Sequence, residues 1–118
     1  MTGLDTNVLA RYVMQDDPRQ SPRATRLIES LRTEAPGFVS VFTLVELVWV
    51  LSGCYGLNRA QVATVLETLL RSRELVIDRA ELVAQSLGRF GSAGADFADA
   101  LIERIASAAG CGETMTFD

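Results

Sequence analysis

Short apolar runs alternate along this chain with longer stretches of helical periodicity, and that alternation restricts the fold more than any other feature. Residues 2–5 read as a first strand, after which Val8, Leu9, Tyr12 and Val13 recur at the spacing of one helix face. The polar run Gln15, Asp16, Asp17 and Pro18 stops that helix. Ser21 followed by Pro22 is the pattern of an N-cap with proline at the first helical position, opening a helix whose inner face is Ala24, Leu27, Ile28 and Leu31. Residues 37–39 form the next strand. The apolar segment 41–55 is too long for one strand and stops at Gly56, so it reads as a buried helix. Asn58 with Gln61 makes a capping box for a helix over 59–72, and residues 75–77 form a third strand. Asp78 with Glu81 repeats the capping pattern for a helix running to about residue 88, where glycines 88, 91 and 94 mark a loop. Ala98, Leu101, Ile102, Ile105 and Ala109 stripe a last helix ended by Gly110, and residues 113–117 read as a fourth strand.

Strands separated by helices imply parallel crossovers. The expected architecture is therefore α/β: a three-layer α/β/α sandwich with a short parallel sheet of about four strands. Residues 1–118 should form a single domain, since a chain of this size buries roughly two-thirds of its unfolded surface around one core.

Composition matters chiefly through what is missing. With 48% hydrophobic and 22% charged residues the chain has the make-up of a folded domain rather than a disordered one. Its 15 acids outnumber 11 bases, every base is arginine, and lysine and histidine are absent. Those absences exclude Schiff-base and phosphate-loop lysines, Ser-His and Cys-His nucleophiles, and histidine metal sites. Cys54 and Cys111 lack CxxC spacing and read as two buried, reduced thiols. Residues 1–8 carry no basic segment and hold Asp5, which is not a secretory signal, so a cytoplasmic protein is expected. Residues 35–58 are long enough to span a bilayer, but Pro36 and glycines 37, 53 and 56 interrupt them and Glu46 would sit near the centre, so no membrane association is expected.

The chemistry must then use carboxylates, hydroxyls, amides, the two thiols and arginine, and the placement of the acids is the most informative of these. In open α/β sheets ligands bind outside the carboxyl ends of the strands. Asp5 ends the first strand and Asp118 the last, so adjacency of those strands would bring the two carboxylates together. Ser40, Thr43 and Glu46 are three apart and form one polar edge on an otherwise apolar rod. A carboxylate on a mostly buried helix pairs with an arginine, stays protonated or binds a cation. Asp96 and Asp99 share a face at the start of the last helix. Asp5 and Asp96 also read as plain N-caps, and Glu46 as half of a salt bridge. Converging, these acids would repel one another unless a divalent cation lay between them, and oxygen-only ligation favours Mg2+ or Mn2+ over zinc. Hydrolysis of a phosphodiester is the reaction class that fits.

Four stretches, Gly3 to Leu9, Thr43 to Glu46, Gly94 to Ile102 and Thr116 to Asp118, together resemble a PIN domain, specifically a toxin ribonuclease of the VapC type. The resemblance spans nearly the whole chain, in order. It implies a Mg2+- or Mn2+-dependent endoribonuclease that cleaves RNA as the toxin of a toxin–antitoxin pair. Carried over by position, Asp5, Glu46 and Asp99 match the acidic triad, Asp118 matches the fourth acid, and Asp96 belongs to the same motif as a further ligand. Thr6 or Asn7 would hold the Asp5 loop or a metal-bound water. A homodimer and a VapB-type antitoxin that blocks the acidic pocket are implied as partners. The family pattern continues past the final Thr-Phe-Asp with a basic loop and a short strand, so relative to that pattern the C-terminal end reads either as truncated or as that of a genuinely short protein.

RNA needs bases to neutralise its phosphates, and a net charge of −4 leaves that to local patches. Arg19, Arg23 and Arg26, at i, i+4 and i+7, read either as a phosphate-facing stripe or as a solvated helix face, and Arg89 in the glycine segment reads the same two ways. Two other classes compete. One is a non-catalytic PIN-like module whose acids only receive an arginine-bearing protein partner. The other is an aspartyl-phosphate enzyme, disfavoured because Asn7 stands where a second acid is needed and no lysine exists.

Overall fold

The computed structural model describes residues 1–92 and 96–117. Three short strands, β1 (Thr2–Gly3), β2 (Gly37–Val39) and β3 (Leu75–Ile77), make one parallel sheet in the order β1-β2-β3. Thr2 pairs with Gly37, and Val39 with Ile77. Two helices, α1 (Thr6–Met14) and α2 (Gln20–Glu29), cross from β1 to β2. From β2 to β3 the crossover is α3 (Val41–Trp49), a π-helical turn over Val50–Cys54, and α4 (Arg59–Arg71). Two more helices, α5 (Ala80–Ser92) and α6 (Phe97–Ala108), follow β3. This is the expected α/β architecture, with six helices and three strands among the described residues.

Local chemistry explains most boundaries. Asn58 and Gln61 form the expected reciprocal capping box on α4. Gly56 ends the π-helical turn at φ 66° and Gly110 follows α6 at φ 101°, left-handed conformations that glycine adopts without penalty. Gly37 serves a different purpose: a Cβ there would lie 2.8 Å from Leu4 Cδ1 and 2.9 Å from Leu31 Cδ1, so those two buried leucine side chains would have to repack. The core is mainly aliphatic, with Leu9, Val39, Leu44, Leu47, Leu51, Val62, Leu66 and Val83 fully enclosed together with the aromatic Phe97. Each such side chain contributes about 1.5–3 kcal/mol relative to exposure.

Several expectations are corrected. Residues 113–117 form no strand; Met115 and Phe117 are both exposed, so burial does not offset the entropy of extending them. Helix α2 begins at Gln20, not after a Ser21 cap. Asp17 Oδ1 accepts from the Arg19 and Gln20 amides at 2.9 and 2.7 Å, while buried Ser21 donates its hydroxyl to the Arg11 carbonyl at 2.9 Å. Asp78 accepts from the Val41 amide at 3.4 Å, across the sheet edge rather than along its own helix, and Arg79 beside it is left-handed at φ 53°. Helix α5 continues to Ser92, so Gly88 and Gly91 are helical rather than part of a loop, and Gly94 lies outside the described residues. The stripe of α6 is rotated: Phe97, Ala100 and Leu101 are buried while Ile102 is 57% exposed, because Phe97 packs edge-on against Phe90 at 6.1 Å. Leu27 likewise sits at a surface, 36% exposed. Cys54 and Cys111 are free but exposed, the first as the last residue of the π-helical turn and the second just beyond α6. Among the described residues no helix is long and apolar enough to cross a membrane.

Candidate active site

The parallel sheet points its carboxyl ends one way, and a polar residue follows each strand there: Asp5 shortly after β1, Ser40 after β2 and Asp78 after β3. Asp5 is the N-cap of α1. Its backbone is extended, and its Oδ1 accepts from the Val8 amide at 3.0 Å, which fixes the carboxylate at the mouth of the first crossover. The Leu4 amide, donating to the Phe38 carbonyl at 2.9 Å, ties the segment to β2 immediately before the cap.

Ser40 caps α3 in the same way, accepting from the Thr43 amide at 3.1 Å and donating to the Thr43 hydroxyl at 3.1 Å. One turn further along, half-buried Glu46 completes the polar edge read from the sequence. Helices α1 and α3 pack against each other, and the Thr6 hydroxyl donates to Glu46 Oε1 at 3.1 Å. Thr6 thus joins two acid-bearing elements that lie 40 residues apart in sequence. No arginine pairs with Glu46 among the described residues, and neither Asp5 Oδ2 nor Glu46 Oε2 has a protein partner there.

The remaining acids stand apart. Asp96 caps α6, accepting from the Ala98 amide at 2.8 Å, and faces a cleft with Trp49, Ser52 and Phe90. Asp99 is exposed and lines a different cleft, between α6 and residues 111–116. Asp118 lies outside the described residues. Helix α3 packs on α6 as well as on α1, so Glu46 belongs to the helix between the two acidic corners. Among the described residues, however, no three acids or cysteines come close enough to hold a metal ion. The donor chemistry at Asp5 and Glu46, two carboxylates with free oxygens and no competing cation, suits a hard divalent ion. No third acid joins these two among the described residues.

Arg89 is committed elsewhere. Its Nη1 lies 2.7 Å from both Glu103 oxygens, an exposed ion pair linking α5 to α6, and the bond holds the Glu103 carboxyl below the ordinary carboxylate range. Asn7 is exposed and borders a cleft of about 380 Å3 between α1 and α2, together with Asp5, Arg11, Gln20 and Arg23.

Sequence reasoning missed the network behind that cleft. Tyr55 donates its hydroxyl to Asp16 at 2.8 Å, and Arg11 Nη1 reaches Tyr55 Oη at 3.0 Å and Asp16 at 3.3 Å. The tyrosine bond is the main reason the Asp16 carboxyl sits below its ordinary value, with Arg11 adding to it against partial desolvation. The same bond raises the Tyr55 phenol. The only local signal was the acidic helix stop, which carries no hint of a partner 39 residues on.

Residues 3–118 match the model of one family, the PIN domain. No curated protein and no solved structure matches the chain.

Proposed function

This chain belongs to the PIN-domain family, whose members are commonly nucleases that use a divalent metal, and from that premise we propose that it is an endoribonuclease of the VapC toxin type. The observation that carries the proposal is the Asp5–Thr6–Glu46 arrangement: Asp5 at the carboxyl end of β1, the next residue Thr6 donating its hydroxyl to Glu46, and both carboxylates left without a cationic partner among the described residues. A merely structural Glu46 on a largely apolar helix would be expected to engage an arginine.

Asp5 and Glu46 would hold a Mg2+ or Mn2+ ion, with Asp99 and Asp118 as the further ligands that the VapC likeness suggests and Asp96 as an auxiliary one. When bound, such an ion supplies Lewis acidity at a phosphate oxygen and lowers the pKa of a coordinated water. The protein's own contribution is orientation. The N-cap bond fixes Asp5 through one oxygen and leaves the other outward, and Thr6 does the same for Glu46, so both carboxylates are preorganised before a ligand arrives. Within the same proposal, the chain forms a homodimer, and a VapB-type antitoxin would inhibit it by covering these acids with an arginine.

The test is Asp5→Asn. Asparagine caps a helix as well as aspartate does, so the fold stays intact while the negative charge goes. RNA cleavage in magnesium should fall by at least about a hundredfold with the thermal midpoint unchanged. Parental cleavage by a folded Asp5→Asn protein would remove the proposal and leave a protein-binding module as the better reading.

A further inference from the structure

The cleft between α1 and α2 opens beside Asp5, and its other polar residues are Asn7, Arg11, Gln20 and Arg23. Its volume of about 380 Å3 falls in the range of small-ligand sites, about 300–1,000 Å3. The two arginines differ. Arg11 is held rigidly: Nε donates to Gln20 Oε1 at 2.9 Å and Nη1 is shared between Tyr55 and Asp16. The Arg23 side chain is exposed and has no hydrogen-bond or ion-pair partner among the described residues. Arg19 and Arg26, on the same face of α2, are exposed in the same way. Residues 18–28 hold three arginines and no acid, in a chain whose net charge is −4.

From this placement we infer that the α1–α2 cleft is a phosphate subsite for the RNA strand, with Arg23 binding a backbone phosphate adjacent to the one that is cleaved. The inference rests on the endoribonuclease reading of Asp5 and Glu46 for the identity of the strand. Polyanion binding by Arg23 stands or falls separately. A guanidinium is the group best matched to a phosphate, forming two parallel N–H to oxygen bonds. Exposed acids alone would repel the strand, so a cationic groove contiguous with Asp5 gives it a path to the site. Arg11 acts as a positioning residue: pinned by Tyr55 and Asp16, it fixes Gln20 and one wall of the cleft. The apolar floor, Val8, Ala24 and Leu27, accounts for the partly exposed Leu27 as a surface against which a ribose or base can pack.

The experiment compares Arg23→Glu, Arg23→Lys and Arg73→Glu with the parent. Arg73→Glu makes the same change in net charge at the opposite end of the sheet, just before β3, and serves as the control for bulk electrostatics. Affinity for a fluorescein-labelled single-stranded RNA is read by anisotropy without divalent metal, across a range of KCl concentrations. Arg23→Glu should weaken binding about tenfold and lower the slope of log K against log salt by about 0.7, the value for one phosphate contact on a single strand. Arg23→Lys should recover most of the loss, and Arg73→Glu should stay within about twofold of the parent. Equal weakening by Arg23→Glu and Arg73→Glu, or an unchanged salt slope in Arg23→Glu, overturns the subsite. Retained RNA binding with lost binding of poly-L-glutamate overturns it in favour of an acidic protein partner. If the parent cleaves no RNA yet Arg23→Glu shows the predicted loss of affinity, the nuclease reading fails and the phosphate site stands.

Discussion

Asp5 and Asp96 do the same local job and have different prospects. Each is an extended N-cap whose Oδ1 accepts one amide of the helix that follows, Val8 at 3.0 Å and Ala98 at 2.8 Å. What separates them is the company that the fold delivers. The β1–β2 pairing and the packing of α1 on α3 bring Glu46 to the first turn of α1 through Thr6. Asp96 instead borders a cleft lined by Val48, Trp49, Phe90 and Phe97 that also holds the cation Arg59. A capping motif is therefore no guide to function by itself. The useful signal is a second acid brought by tertiary packing and left without a cation.

The contrast is sharpest in paired cap-preserving variants. Asp5→Asn and Asp96→Asn should both fold like the parent. Cleavage should drop by about a hundredfold or more in the first and change by less than about fivefold in the second, since an auxiliary ligand is worth less than a principal one. Equal losses would erase the distinction drawn here. A smaller effect is expected at Thr6. Thr6→Val removes the hydroxyl that orients Glu46 and should lower kcat about tenfold with little change in KM, and Thr6→Ser should restore it. Removing a cap outright affects stability instead: Asp96→Ala should cost about 1 kcal/mol in urea unfolding, with cleavage preserved under conditions where the protein remains folded.

The smallest effect concerns the wall of the cleft. The native Asp16 carboxyl lies below its ordinary value of 3.8, chiefly through the Tyr55 hydroxyl. Because the folded state binds that proton less tightly than the unfolded chain does, the stability Asp16 contributes is present above the ordinary value and is lost as pH falls through the lower native one. Asp16→Asn should thus flatten the acid limb of a stability profile below about pH 4, with no change near neutrality in its pH slope. An unaltered acid limb would mean that the Tyr55–Asp16 bond contributes nothing to holding Arg11.

Much of the frame was legible because it follows from local rules. The strands at 37–39 and 75–77, the Asn58–Gln61 capping box and the stops at Gly56 and Gly110 each depend on residues within a few positions of one another. The polar edge Ser40, Thr43 and Glu46 was visible for the same reason. What could not be read was governed by distant partners. Tyr55 reaching Asp16, Asp78 turning toward Val41 and Arg89 engaging Glu103 are pairings across 39, 37 and 14 positions that leave no trace in periodicity. Residues 113–117 have strand-like composition, but a strand exists only where an edge receives it. On α6 the apolar stripe was misplaced by a single aromatic: Phe97 takes the deepest position and turns Ile102 outward.

The central claim is that Asp5 and Glu46 are ligands for a hard cation and not simply a cap and a hydrogen-bond acceptor. Calorimetric titration of Mn2+ into the parent and into Asp5→Asn addresses it without any assumption about the RNA. The account predicts saturable manganese binding to the parent and at least a tenfold weaker affinity in Asp5→Asn, by about the lower bound for disturbing a metal ligand set. Manganese binding of equal strength to both proteins, or to neither, would contradict it.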